Sequence, residues 1–119
     1  MQQNRADRVS GLLKEEISQL IQKDLKDPRI GFVTITRVIL SRDLRHAKVF
    51  FSTYGDEGAK QRSLEGLRRA LGFIRGELGR RLGLRFVPEL EFRIDGSIEY
   101  AFHIEEIIHQ MKKEQKEEE

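Results

Sequence analysis

Apolar residues recur every three or four positions near the start of the chain: Val9, Leu12, Leu13, Ile17, Leu20, Ile21 and Leu25. That spacing predicts one helix with a single apolar stripe. Asn4 or Asp7 can cap it, and Asp27-Pro28 ends it, because proline disfavours helical geometry in the residue before it. The next two apolar segments have another character. FVTITRVIL (32–40) is dense in β-branched residues, and AKVFFSTY (47–54) alternates Ala47, Val49 and Phe51 with Lys48, Phe50 and Ser52. Both predict strands, joined by SRDLR (41–45), a link of hairpin length.

Helical spacing returns from about Lys60 to Leu82, carried by Leu64, Leu67, Leu71, Ile74, Leu78 and Leu82, with Gly83 at the C-cap position. ELEFRID (89–95) alternates and predicts a third strand. Asp95-Gly96-Ser97 predicts a turn with Ser97 as N-cap. Ile104, Ile107, Ile108 and Met111 then predict a last amphipathic helix, and KKEQKEEE (112–119) a charged, frayed tail. Helices covering one face of a three-stranded sheet make this an α+β chain, a single domain over residues 1–111.

Within the third apolar segment, Gly72, Gly76, Gly79 and Gly83 interrupt the stripe, although each glycine inside a helix costs about 0.5–1 kcal/mol relative to alanine. On one ideal helix they fall within about 60° of one another. Arginines flank them: Arg68, Arg69, Arg75, Arg80, Arg81 and Arg85. A strip without side chains admits another backbone, and flanking guanidinium groups suit phosphates. The same glycines also suit a helix that bends or crosses another element, and both readings stand.

Composition narrows the classes. The net charge is only +2, yet from Arg62 to Arg85 seven arginines stand against two glutamates, and from Glu105 onward six glutamates stand against three lysines. Charge segregated this way points to an anionic partner for the middle of the chain. With no cysteine there is no disulfide, thiolate nucleophile or cysteine metal site. No apolar run reaches the roughly 20 residues of a membrane helix, nor does the first segment read as a signal peptide, so a soluble protein is expected. His46, His103 and His109 have no metal-ligand spacing, and Ser41-Arg42-Asp43 lacks an adjacent base for nucleophilic catalysis. Neither a cofactor nor an enzymatic activity is expected. Most of Phe50, Phe51, Tyr54, Phe73 and Phe86 are expected in the core of so small a domain.

A strand-strand-helix-helix-strand order after an N-terminal helix resembles the type II KH domain, in which a GxxG loop between two helices clamps nucleic acid. The two GxxG strings here, Gly55–Gly58 and Gly76–Gly79, do not fit that role: the first precedes the helices, and both carry acid. In place of the loop stands Ala70-Leu71-Gly72, a helix kink similar to that of the ribosome-binding factor A family. Asp27-Pro28-Arg29-Ile30-Gly31, Leu40-Ser41-Arg42-Asp43-Leu44 with Ala47-Lys48-Val49, Gly72-Phe73-Ile74-Arg75, and Leu84-Arg85-Phe86-Val87-Pro88-Glu89-Leu90 follow that family's pattern in order. The resemblance covers about residues 5–111. It implies a cytoplasmic, non-enzymatic assembly factor, acting as a monomer, that binds 16S rRNA and the free 30S subunit beside neighbouring ribosomal proteins. It also implies a part in late 16S maturation, including 5′-end processing, with most weight in the cold.

The expected rRNA contacts are Arg68, Arg69, Arg75, Arg80, Arg81 and Arg85, with Arg42, Arg45 and Lys48 on the hairpin as a second patch. Reversing Arg80 and Arg81 together is expected to weaken binding without unfolding the domain. The alternative is a recruitment module that acts on another protein through the last helix and tail.

Overall fold

The computed structural model describes residues 5–25, 27–96 and 107–113. The elements run α1 (Arg5–Lys23), β1 (Val33–Leu40), β2 (His46–Thr53), α2 (Glu57–Arg69), α3 (Leu71–Leu82) and β3 (Glu89–Ile94). A helical segment, α4, follows at 107–113. The expected α+β fold is the one observed.

The stripe on α1 places Leu13, Ile17, Leu20 and Ile21 in the core, while Leu12 turns outward. Asp7 in the first turn and Lys23 in the last complement the helix dipole. The segment after α1 is shaped by Asp27, whose carboxylate accepts from the Arg29 backbone N–H (2.9 Å) and from its guanidinium (3.0 and 2.7 Å). These bonds, the side-chain one foremost, hold the Asp27 carboxyl down at about 2. Ile30 is thereby delivered against Gly66 of α2, where an added Cβ would stand 2.7 Å from Ile30 Cγ1. Gly66 is thus a real close-approach glycine, outside the strip that the spacing singled out.

The sheet order is β1-β2-β3, with β1 antiparallel and β3 parallel to β2. Its register shifts between Ile35 and Arg37. The extra residue, Thr36, inverts the alternation: Val33 and Ile35 point inward before it, Val38 and Leu40 after it. That bulge is why residues 32–40 show no clean period of two. Thr36 donates its hydroxyl to the buried Asp95 carboxylate at 2.5 Å, while Asp95 N–H bonds Phe51 O at 2.7 Å. Helices α1, α2 and α3 lie on the inner face, where Phe51 and Phe92 meet edge to face at 6.5 Å.

The 41–45 link is a built turn. Asp43 accepts from Ser41 Oγ (2.6 Å) and Arg45 N–H (3.1 Å), and Ser41 Oγ accepts from His46 N–H (3.0 Å). Leu44 takes a left-handed φ of 62° within it. Ser41 and Asp43, weighed above as candidate chemistry, are occupied in holding this turn.

The helix expected from Lys60 begins earlier, because Asp56 caps α2 through Ala59 N–H at 2.8 Å. It is interrupted at Ala70, which ends α2 and starts α3 with φ −85° and ψ 0°. Gly72 lies inside α3 with no left-handed φ, and a Cβ there would meet nothing within 4 Å. Gly76 is equally open, whereas Gly79 packs under Val87, 3.1 Å from a Cβ placed there. Gly83 caps α3 in the left-handed region.

Asn4, Ser97, His103 and Ile104 lie outside the described residues, as does the expected tail beyond Lys113. In α4, Ile107, Ile108 and Met111 are exposed. The aromatic expectation is corrected: of the five rings named above, only Phe51 is fully buried, and Tyr54, Phe73 and Phe86 are exposed. Core volume comes instead from Phe92 and from the Leu, Ile and Val of α1 to β3.

Candidate nucleic-acid interface

The nine expected cationic contacts do not form one patch. Arg45, Arg75 and Arg85 come together around a groove of about 780 Å³, between the start of α1, the β1–β2 turn and the loop from α3 to β3. One member of the hairpin patch therefore faces two members of the helix patch. Arg5 and His46 join them, and Asp43 and Glu89 add negative charge at the rim.

These cations are not equally available. The Arg75 guanidinium donates to the Val87 and Pro88 carbonyls at 3.0 and 3.1 Å, which fastens the α3–β3 loop to the helix. Among the described residues Arg5, Arg45 and Arg85 have no carboxylate partner, and the Arg85 guanidinium lies 5.7 Å from the centre of the exposed Phe86 ring. His46 Nδ1 stands 3.9 Å from a Glu89 carboxylate oxygen. Hydrogen bonds from Ser41 foremost, then from the Arg45 N–H, keep Asp43 below the usual carboxylate range and hence ionised.

Arg80 and Arg81 both carry ion pairs, of different kinds. Arg80 pairs with Glu77 on its own helix. Arg81 bonds Asp24 at 2.6 Å and Glu77 at 3.1 Å, with Glu16 at 3.9 Å, so it ties α3 to α1. The Asp24 bond above all raises its pKa further, and Glu77 is lowered by Arg80 and Arg81 in turn. Reversing both arginines would gather carboxylates at this seam, so a loss of stability is expected where the sequence alone suggested none.

The remaining residues are dispersed. Arg69 pairs with Glu65 at 2.9 Å and lines a separate shallow groove with Asp27, Arg29 and Ala70. Arg68 is exposed at the end of α2, and Arg42 at the tip of the hairpin turn. Lys48 lies on the outer face of the sheet, between Ile39 and Glu91 in register. Arg5 was missed because only tertiary structure carries it beside Arg85, 80 positions along the chain.

No group of three or more His, Cys, Asp and Glu fit to hold a metal occurs among the described residues. No helix among them is long and apolar enough to cross a membrane.

The family model for ribosome-binding factor A matches residues 5–108. A ribosome-binding factor A from Halothermothrix orenii is 47% identical over 115 residues, 97% of this chain and 94% of that protein. Another from Natranaerobius thermophilus is 51% identical over 107 residues, 90% of this chain and 82% of that protein. Among solved structures, the crystal structure of ribosome-binding factor A from Thermus thermophilus matches with TM-score 0.68 and 30% identity, over 75% of this chain and 93% of that one. A Thermus thermophilus homology model, fitted into the cryo-EM map of a 30S–RbfA complex, matches with TM-score 0.61 and 33% identity, over 73% of this chain and 91% of that one.

Proposed function

Because the chain belongs to the ribosome-binding factor A family, we propose that it binds the free 30S ribosomal subunit and contacts 16S rRNA through the groove of Arg5, Arg45 and Arg85. The observation that carries the groove is the meeting of two distant basic segments around one concave surface, with three guanidinium groups that no carboxylate among the described residues takes up. Guanidinium groups so placed suit phosphate oxygens, which accept two parallel hydrogen bonds from each. The protein holds rRNA in one conformation until late maturation, including 5′-end processing, is complete, and then leaves. It acts in the cytoplasm as a monomer, without catalysis of its own, and matters most in the cold.

Co-sedimentation with free small subunits and with whole ribosomes across a salt series tests this reading. Salt-sensitive binding to small subunits alone is expected. Binding that survives nuclease treatment and needs residues 98–119 would favour the recruitment alternative, to which the exposed Ile107, Ile108 and Met111 lend some support.

A further inference from the structure

The outer face of the sheet, on the side away from α1 to α3, meets the groove only at His46 and Glu89. At the open end of the β1–β2 hairpin, Phe32 and Tyr54 are the residues next to the Val33–Thr53 pair, just past the ends of the two strands. Both are 87% exposed, more than any other large apolar side chain described. The last outward pair within the strands at this end is Thr34 and Ser52, which pair directly. The next outward pair is Arg37 and Phe50, brought there by the bulge at Thr36. The Arg37 guanidinium lies 4.1 Å from the Phe50 ring centre and is approached by Asp95 at 3.9 Å. Arg93 neighbours Phe50 on β3, held by Glu91 at 2.9 Å, and Lys48 follows along β2.

Two flat stacking positions therefore lie toward this end of the hairpin, the Arg37–Phe50 pair on the sheet and Tyr54 just past the end of β2. Hydroxyls of Thr34 and Ser52 lie between them, and Arg37, Lys48 and Arg93 supply positive charge against Glu89 and Glu91. An apolar protein partner would call for an aliphatic carpet, yet Ile39 is the one large aliphatic side chain exposed on these strands. Open aromatic and guanidinium planes interleaved with cations and hydroxyls match unpaired bases on a phosphate backbone.

We propose that this outer face is a second binding surface, a platform on which Phe32, Tyr54 and Arg37 stack the bases of single-stranded RNA. The proposal rests on the reading that the ligand is RNA, and it is independent of the groove.

The test uses the full chain and a fluorescently labelled, unstructured oligoadenylate of about ten nucleotides, within the site size of a small single-strand-binding domain. An RNA duplex of the same length is the control. The F32A/Y54A variant is expected to bind the single strand roughly tenfold or more weakly, with its melting temperature kept because both rings are exposed. Duplex binding should not change. The chain has only two tyrosines, so Tyr100→Phe leaves Tyr54 as the sole tyrosine emitter, and the single strand should quench it. Unchanged single-strand affinity in F32A/Y54A, equal loss for the duplex, or unquenched Tyr54 emission would overturn the platform. So would loss of small-subunit binding with oligonucleotide affinity intact, which would assign the face to a protein. Wild-type protein that sediments with small subunits while failing these tests loses only the platform. Wild-type protein that binds neither particle overturns the proposed function itself.

Discussion

Arg81 and Arg85 stand one helical turn apart in sequence and have opposite fates. Arg81 is within the last turn of α3, four residues after Glu77 and facing Glu16 of α1 and Asp24 just past its end, and its guanidinium is taken up by three carboxylates. Arg85 comes after the Gly83 cap, in the loop that borders the groove, with an aromatic ring for company and no carboxylate among the described residues. The seam and the groove are built from the same side chain. The seam uses its charge to hold two helices together, and the groove leaves it without a carboxylate among the described residues. A count of arginines along a sequence measures the sum of the two. Carboxylates brought in by the fold, Glu16 and Asp24, together with Glu77 of the same helix, decide which arginine belongs to which.

The largest expected effect breaks the seam. Arg81→Glu sets a fourth carboxylate among Glu16, Asp24 and Glu77, so thermal melting should show a clear fall in Tm, while Arg85→Glu should leave Tm unchanged. Equal melting temperatures would mean that the seam does not hold α1 to α3. Arg75 lies between the two classes, because it lines the groove but donates to two loop carbonyls. Arg75→Ala is expected to cost about 2 kcal/mol in urea unfolding, since each charge-assisted bond contributes about 1.5–3 kcal/mol before exposure discounts it. A loss of rRNA affinity with full stability would move Arg75 into the ligand-binding class.

The smallest effect is a pH dependence at the entry to β1. Asp27 is held at about 2 in the folded chain against an ordinary 3.8, so its contribution is complete above about 3.8. It is lost as pH falls through about 2. Urea midpoints should therefore fall between pH 4 and pH 2 more steeply in the native chain than in Asp27→Asn. Parallel curves would remove the Asp27–Arg29 bonds from the stability of this segment.

Much of the fold was legible because it is local. Periodicity gives α1, β2 and β3 within a few residues, and Gly83 marks its own cap. β1 was legible from its β-branched residues but not from its alternation, which the bulge at Thr36 inverts. The site was less legible, for a related reason. Arg45, Arg75 and Arg85 were named from local motifs, but their meeting with Arg5, the diversion of Arg81 to α1 and the fastening role of Arg75 are tertiary facts. The glycine strip divides in the same way: Gly79 answers to Val87, Gly72 and Gly76 face open space, and Gly66 was masked by sitting in a plain apolar stripe.

Under the proposed function, groove arginines with no carboxylate partner among the described residues carry phosphate binding. Its most direct test is the salt dependence of small-subunit binding for the Arg45→Ala/Arg85→Ala protein beside the native chain, with Tm measured on both. Unchanged Tm, weaker binding, and a slope of log affinity against log salt reduced by about 0.7–0.9 for each arginine removed are expected. Unchanged affinity and slope at low salt would contradict it, and would place the rRNA contacts elsewhere on the molecule.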